Sequence, residues 1–112
     1  MKMSEKRYVL DGDQNPVPCS DIYAWAHAME TRSRKVASTR IGPIEVSTVF
    51  LGIDHQFGDG PPMLFETMTF GDDDERQVCL RCSTRAEAIA QHTKVVQYIW
   101  QRDIELIEPA IP

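Results

Sequence analysis

Cysteine is scarce in this chain, and that scarcity excludes a whole class of fold. Cys19, Cys79 and Cys82 are the only three in 112 residues, too few and odd in number for a disulfide framework, so reduced thiols are expected. Long apolar runs are absent too. Lys2, Lys6 and Arg7 near the start are not followed by the hydrophobic stretch of a secretory signal, and no segment approaches the length of a membrane-spanning helix. Both absences point to a cytoplasmic protein with no membrane partner. No glycine-rich dinucleotide fingerprint precedes a helix, and Gly58-Asp59-Gly60 lacks the spacing and the lysine of a phosphate-cradling loop. No cofactor is therefore expected. Cations are in the minority: Lys and Arg number 12 against 17 Asp and Glu, a formal charge of −5, which opposes non-specific attraction to nucleic acid and favours a basic or dipolar partner.

What is present suits a single core. A chain of this length forms one compact domain, here taken as residues 1–102, followed by a C-terminal extension, 103–112. Residues 8–10 make a brief strand that ends in the turn formers Asp11, Gly12, Asp13, Gln14, Asn15 and Pro16. Pro18, Ser20 and Asp21 then open a helix, with Ile22, Trp25, Ala26 and Met29 on one face and Tyr23, His27 and Glu30 on the other. From residue 36 the pattern turns extended. Strands are expected over 36–41, 44–53, 63–70 and 77–82, the last two joined by an acidic tip. Thr84-Arg85-Ala86-Glu87 is a capping box that starts a long helix, whose inner stripe is read as Ile89, Val96, Ile99 and Trp100 with His92 and Thr93 beside it. The resulting order, β-α-β-β-β-β-α, describes an α+β fold: a four- to five-stranded antiparallel meander with two helices on one face.

The run "NPVPCSDIYAWAHAMETRSRKVASTRIGPIEVSTVFLGIDHQFGDGPPMLFETMTFG", followed by "STRAEAIAQH", resembles a family of small phage and prophage proteins of unassigned function. The likeness covers residues 8–92. Gln56, the acidic residues 72–75 and the stretch after Tyr98 depart from the family's usual pattern. The resemblance implies a phage accessory protein and supplies neither a substrate nor catalytic residues.

The stretch 47–68, "STVFLGIDHQFGDGPPMLFETM", carries the densest chemistry. His55 is suited to proton transfer near neutral pH, and Asp54, Asp59 and Glu66 offer carboxylates for a base or a metal. One reading is thus a small metal-dependent hydrolase or nuclease using His55 with Asp59 and Glu66. Strand parity opposes it, because neighbours such as Asp54 and His55 point to opposite faces of a sheet. In the competing reading Gly58 and Gly60 supply positive-φ positions, Pro61 and Pro62 stiffen the return, and His55 with Gln56 satisfies loop backbone groups. Cys79-x-x-Cys82 is half of a zinc pattern, but residues three apart in a strand face opposite ways, so buried free thiols and no bound metal are expected.

Arg32, Arg34, Lys35 and Arg40 form the one basic patch. The order of elements echoes double-stranded RNA-binding domains, yet the second helix begins Thr84-Arg85-Ala86-Glu87 rather than with the cations such domains use on phosphates. Nucleic acid is not the expected partner. Without a persuasive active site, the sequence reads as a non-enzymatic binder of a host or phage protein. Inhibition of a bacterial defence system, in the manner of an anti-CRISPR protein, is the specific form expected, with no catalytic residues. Candidate partner-binding residues are Asp72, Asp73, Asp74 and Glu75 at the acidic tip, and His55, Gln56, Phe57 and Asp59 in the central loop. A homodimer through a sheet edge or the tail is expected as well.

Overall fold

The computed structural model describes residues 6–71 and 77–107, with side chains in the last helix as far as Gln101. The elements run β1 (Tyr8–Leu10), β2 (Pro16–Pro18), α1 (Ile22–Thr31), β3 (Lys35–Ile41), β4 (Ile44–Phe50), β5 (Phe65–Phe70), β6 (Cys79–Cys82) and α2 (Arg85–Ile107). The fold is α+β. The meander is present as an antiparallel sheet in the order β3-β4-β5-β6, and β1 pairs with β2 in a separate two-stranded sheet.

β2 adds a strand to the expected order, and its two prolines hid it. Asp11 donates its N–H to Asn15 and Cys19 donates to Arg7, so the bonded pairs of this hairpin fall on odd-numbered residues. Pro16 and Pro18 sit opposite Leu10 and Tyr8, at positions where the ladder asks for no N–H. Two prolines are therefore compatible with pairing.

Parity divides the main sheet cleanly. Val46, Thr48 and Phe50 of β4 and Phe65, Thr67 and Thr69 of β5 are buried and face the helices, while Glu45, Ser47, Glu66 and Met68 lie on the other face. One core cluster gathers Leu10, Phe50, Leu64, Phe65 and Ala88, with Met29 of α1 packed against it; a second holds Ile41, Val46, Val95 and Ile99. The Phe50 and Phe65 rings tilt at 54° with centroids 5.6 Å apart, an edge-biased arrangement that suits their quadrupoles.

Both helix starts follow the sequence. The Asp21 carboxylate accepts from the N–H groups of Tyr23 and Ala24 at 2.9 and 3.2 Å. Thr84 Oγ1 accepts from Glu87 N–H at 3.1 Å, and Glu87 Oε1 accepts from the N–H groups of Thr84 and Ser83 at 3.0 and 3.1 Å, satisfying donors the helix leaves over.

The helix faces differ from expectation. On α2 the buried residues are Ala88, His92, Val95 and Ile99; of the expected stripe Ile99 is buried and Val96 packs against the core, whereas Ile89 and Trp100 remain 48% and 58% exposed. The buried stripe is turned toward the N-terminal neighbours of the expected one, because a small alanine fits against the Phe50–Phe65 pair and a histidine takes a core position. On α1 Ala28 is buried and Trp25 and Met29 partly so, while Ile22 and Ala26 face out. α1 is fastened at Gly52: Trp25 Nε1 and Tyr8 N–H both donate to its carbonyl, at 3.0 and 2.9 Å. Gly52 has φ +78°, a left-handed backbone that favours glycine, and a Cβ there would also stand 2.5 Å from Met29 Sδ and displace that side chain. α2 runs past Asp103 to Ile107, so the helix enters the segment expected as an extension. Residues 108–112 lie outside the described residues.

Candidate functional site

β4 ends at Phe50, and the chain does not return to the sheet until Phe65. The base of the intervening loop is closed by backbone bonds, Leu51 N–H to Leu64 O at 2.7 Å and His55 N–H to Met63 O at 3.0 Å. Inside it two side chains replace secondary structure. Asp54 Oδ1 accepts from Gln56 N–H at 2.7 Å and from Met63 N–H at 2.9 Å, bracing both arms. Gln56 works at the tip, where Oε1 accepts from Gly58 N–H at 3.1 Å and Nε2 donates to Pro61 O at 3.1 Å. Such side-chain braces supply the partners that turn backbone groups lack.

Gly58 and Gly60 do not have the expected positive φ, which among glycines belongs to Gly42 and Gly52. A Cβ at Gly60 would instead stand 2.7 Å from Gln56 Nε2, so a larger residue there would push the Gln56 amide aside. The backbone role expected of His55 with Gln56 falls to Gln56 and Asp54, and among the described residues the His55 ring makes no hydrogen bond. Phe57 projects from the tip with 97% of its surface exposed. Asp59 is exposed beside it, and His55 and Gln56 are half-buried.

The three residues of the hydrolase reading are not brought together. Among the described residues no group of three His, Cys, Asp or Glu side chains is placed to hold a metal. Glu66 lies on the helix-free face of β5, where its carboxylate accepts from Arg81 Nε at 3.0 Å. The cysteines are free, yet not buried as expected: Cys79 is exposed, and Cys19 and Cys82 are partly covered. Parity does separate the pair, since Cys79 lies opposite Met68 and Cys82 opposite Phe65. Burial and then Glu66 raise the Cys79 thiol, and burial followed by Glu87 pushes Cys82 up to about 11. Both stay in the protonated, weakly nucleophilic form at neutral pH. The basic patch is partly consumed by the fold: Arg32 donates to Leu10 O at 3.0 Å, and Lys35 donates to Ser47 Oγ at 2.9 Å. Asp72, Asp73, Asp74 and Glu75 lie outside the described residues.

A second polar construction was not foreseen. His92, 6% exposed, hangs from α2 over the middle of the sheet, with Nε2 2.9 Å from Thr39 Oγ1 and Nδ1 2.8 Å from Thr48 Oγ1. Thr48 Oγ1 is 2.7 Å from Thr67 Oγ1, which accepts from Gln91 Nε2 at 3.0 Å. One neutral-ring arrangement satisfies all four contacts. Gln91 donates to Thr67, Thr67 then donates to Thr48, and Thr48 donates to His92 Nδ1, leaving Nε2–H for Thr39. In it the Thr67 and Thr48 hydroxyl protons are both used and the ring is neutral. Burial lowers the His92 pKa below the ordinary histidine value. Its signal in the sequence was a threonine at alternate positions of three successive strands, Thr39, Thr48 and Thr67, facing a histidine on the last helix.

A widely open hollow of about 550 Å³ is lined by Leu10, Asp11, Gly12, Gln14, Arg32 and Ser33, none of them a candidate binding residue. No helix among the described residues is long and apolar enough to cross a membrane. No family model, curated protein or solved structure matches the chain.

Proposed function

We propose that this chain is a non-enzymatic binding protein that docks on another protein through the 54–63 loop, with Phe57 as the anchor. The observation that carries the reading is a fully exposed phenylalanine at the tip of a loop whose backbone is tied by Asp54 and Gln56. An apolar ring held in water on a braced loop is preorganised for contact: covering it recovers on the order of 1.5–3 kcal/mol, with little further loss of backbone freedom. His55, Gln56 and Asp59 provide a polar rim around that anchor. The resemblance to small phage proteins supports a host or phage protein as the partner, inhibition of a bacterial defence system as the outcome, and the bacterial cytoplasm as the place.

The test is a pull-down from host and infected-cell lysates with the native chain and with Phe57→Ser. A partner should be retained by the native chain and bound at least about tenfold more weakly by the variant, with the same melting temperature for both. Equal retention by a folded Phe57→Ser chain would remove the loop tip from the contact.

A further inference from the structure

Among the described residues the sheet has two open edges, β3 and β6, and they are not equivalent. β3 carries Lys35 and Arg40, and its register slips between Lys35 and Ala37. Like charges and a bulge are the usual devices that keep an edge from pairing. β6 lacks the bulge, and its one charged residue, Arg81, is already paired with Glu66 at 3.0 Å.

The direction of β6's backbone groups follows from its bonds to β5. The carbonyls of Val78 and Cys82 accept from Thr69 and Leu64, so by alternation Cys79 and Arg81 turn their N–H and C=O groups outward. Beyond that edge lies a groove of about 360 Å³ between β6 and α2, lined by Leu80, Cys82, Glu87, Ala90, Gln91 and Lys94. Leu80 is 47% exposed at its floor.

The groove's charges decide what fills it. Ala88 packs in the cluster with Phe65, which lies opposite Cys82, while Val95 and Ile99 pack with Val78, so α2 runs antiparallel to β6. Glu87 is therefore at one end of the groove and Lys94, two turns or about 10 Å further on, at the other. A two-fold axis through Leu80 exchanges those ends.

We propose that a second copy of this chain pairs with the free edge of β6 about a two-fold axis at Leu80, making one continuous eight-stranded sheet. Cys79 of one copy then faces Arg81 of the other, and the two outward pairs exchange backbone hydrogen bonds. Leu80 packs against its own counterpart beneath the helices. Each Lys94 is directed to the Glu87 end of the opposite groove, which makes the surface complementary to itself as an isologous interface requires. The strand is short, so the groove and the charge pair must supply much of the affinity.

Sedimentation or light scattering across the accessible concentration range tests this on the intact chain. The native protein should give twice the 12.8 kDa chain mass. Leu80→Asp, which puts like charges on the axis, and Lys94→Glu, which sets acid against Glu87, should each raise the dimer dissociation constant at least about tenfold while circular dichroism stays native. Leu80→Cys should form an axial disulfide under mild oxidation, yielding a covalent dimer that remains in a Cys79→Ser background. A monomer mass at every concentration overturns the proposal, as does a dimer unaffected by Lys94→Glu in a folded chain.

Discussion

The two polar constructions of this molecule use similar side-chain chemistry to opposite ends. In the 54–63 loop, Asp54 and Gln56 bond to main-chain groups and hold open a surface with an apolar ring at its tip. Beneath α2, His92 and the threonines bond to one another and to Gln91, and no main chain depends on them except the Leu80 carbonyl, which accepts from Gln91. The first replaces secondary structure where none runs. The second sits between two finished elements and fixes how one lies on the other, since a buried hydroxyl without its partner costs about 1–3 kcal/mol. Apolar packing on either side tolerates small slips of a helix; a hydrogen-bonded chain through its middle does not.

The largest effect should come from the apolar cluster that flanks the buried layer. Phe50 is fully buried against Phe65, so Phe50→Ala removes a ring and leaves a cavity at the seam of α1, α2 and the sheet, costing about 3–5 kcal/mol. Chemical denaturation measures it. A loss below about 1 kcal/mol would mean that the polar layer, rather than the aromatic pair, holds the helices.

The buried layer gives a pH signature that the loop should lack. His92 is neutral in the fold, and its pKa is lowered by burial, whereas in the unfolded chain it titrates near 6.5. Between those values the unfolded state binds the additional proton, so stability rises with pH in that window. The contribution is complete above about 6.5 and is lost as pH falls toward the folded value. Among the described residues no charged side chain offsets a proton there: the groups bonded around the ring are Thr39 and Thr48, and Ala88, Gln91 and Val95 flank it on α2. Stability curves from pH 7.5 down to 5 should therefore slope for the native chain and flatten in His92→Gln. An unchanged slope would assign the acid sensitivity to other groups.

How far the sequence could be read follows the same division. Strand parity, the Asp21 and Thr84 caps and the meander were legible because they rest on local spacing. The prolines of β2 and the phase of α2 were not, because each depends on a partner: Pro16 and Pro18 are acceptable only in the register that β1 imposes, and His92 takes a core position where Thr39 and Thr48 meet its two ring nitrogens. In the loop, Asp54 was one of three carboxylates, with Asp59 and Glu66, that offered a base or a metal ligand beside His55, although strand parity set Asp54 and His55 on opposite faces. The distance from Asp54 to Met63 along the chain hid the brace between them, so a structural carboxylate was indistinguishable from a catalytic one.

The smallest effect on global stability, and the one that most sharpens the contrast, is expected at Gln56. Its amide serves two backbone groups within its own loop, Gly58 N–H and Pro61 O, and neither belongs to the sheet or a helix. Gln56→Ala should therefore cost less than about 1 kcal/mol in denaturation, because water takes over groups that are already near the surface. The loop itself should respond more strongly. With the brace removed, the Gly58 amide should exchange with solvent faster than in the native chain, while the Leu51 and His55 amides at the base, bonded to Leu64 and Met63, keep their protection. If Phe57 is the anchor, partner binding should weaken through a faster dissociation rate even though Phe57 is untouched, since a loosened tip must be ordered again in the complex. Protected Gly58 exchange in Gln56→Ala would show that Asp54, Pro61 and Pro62 suffice to hold the tip, and the preorganisation would then reside in the base of the loop.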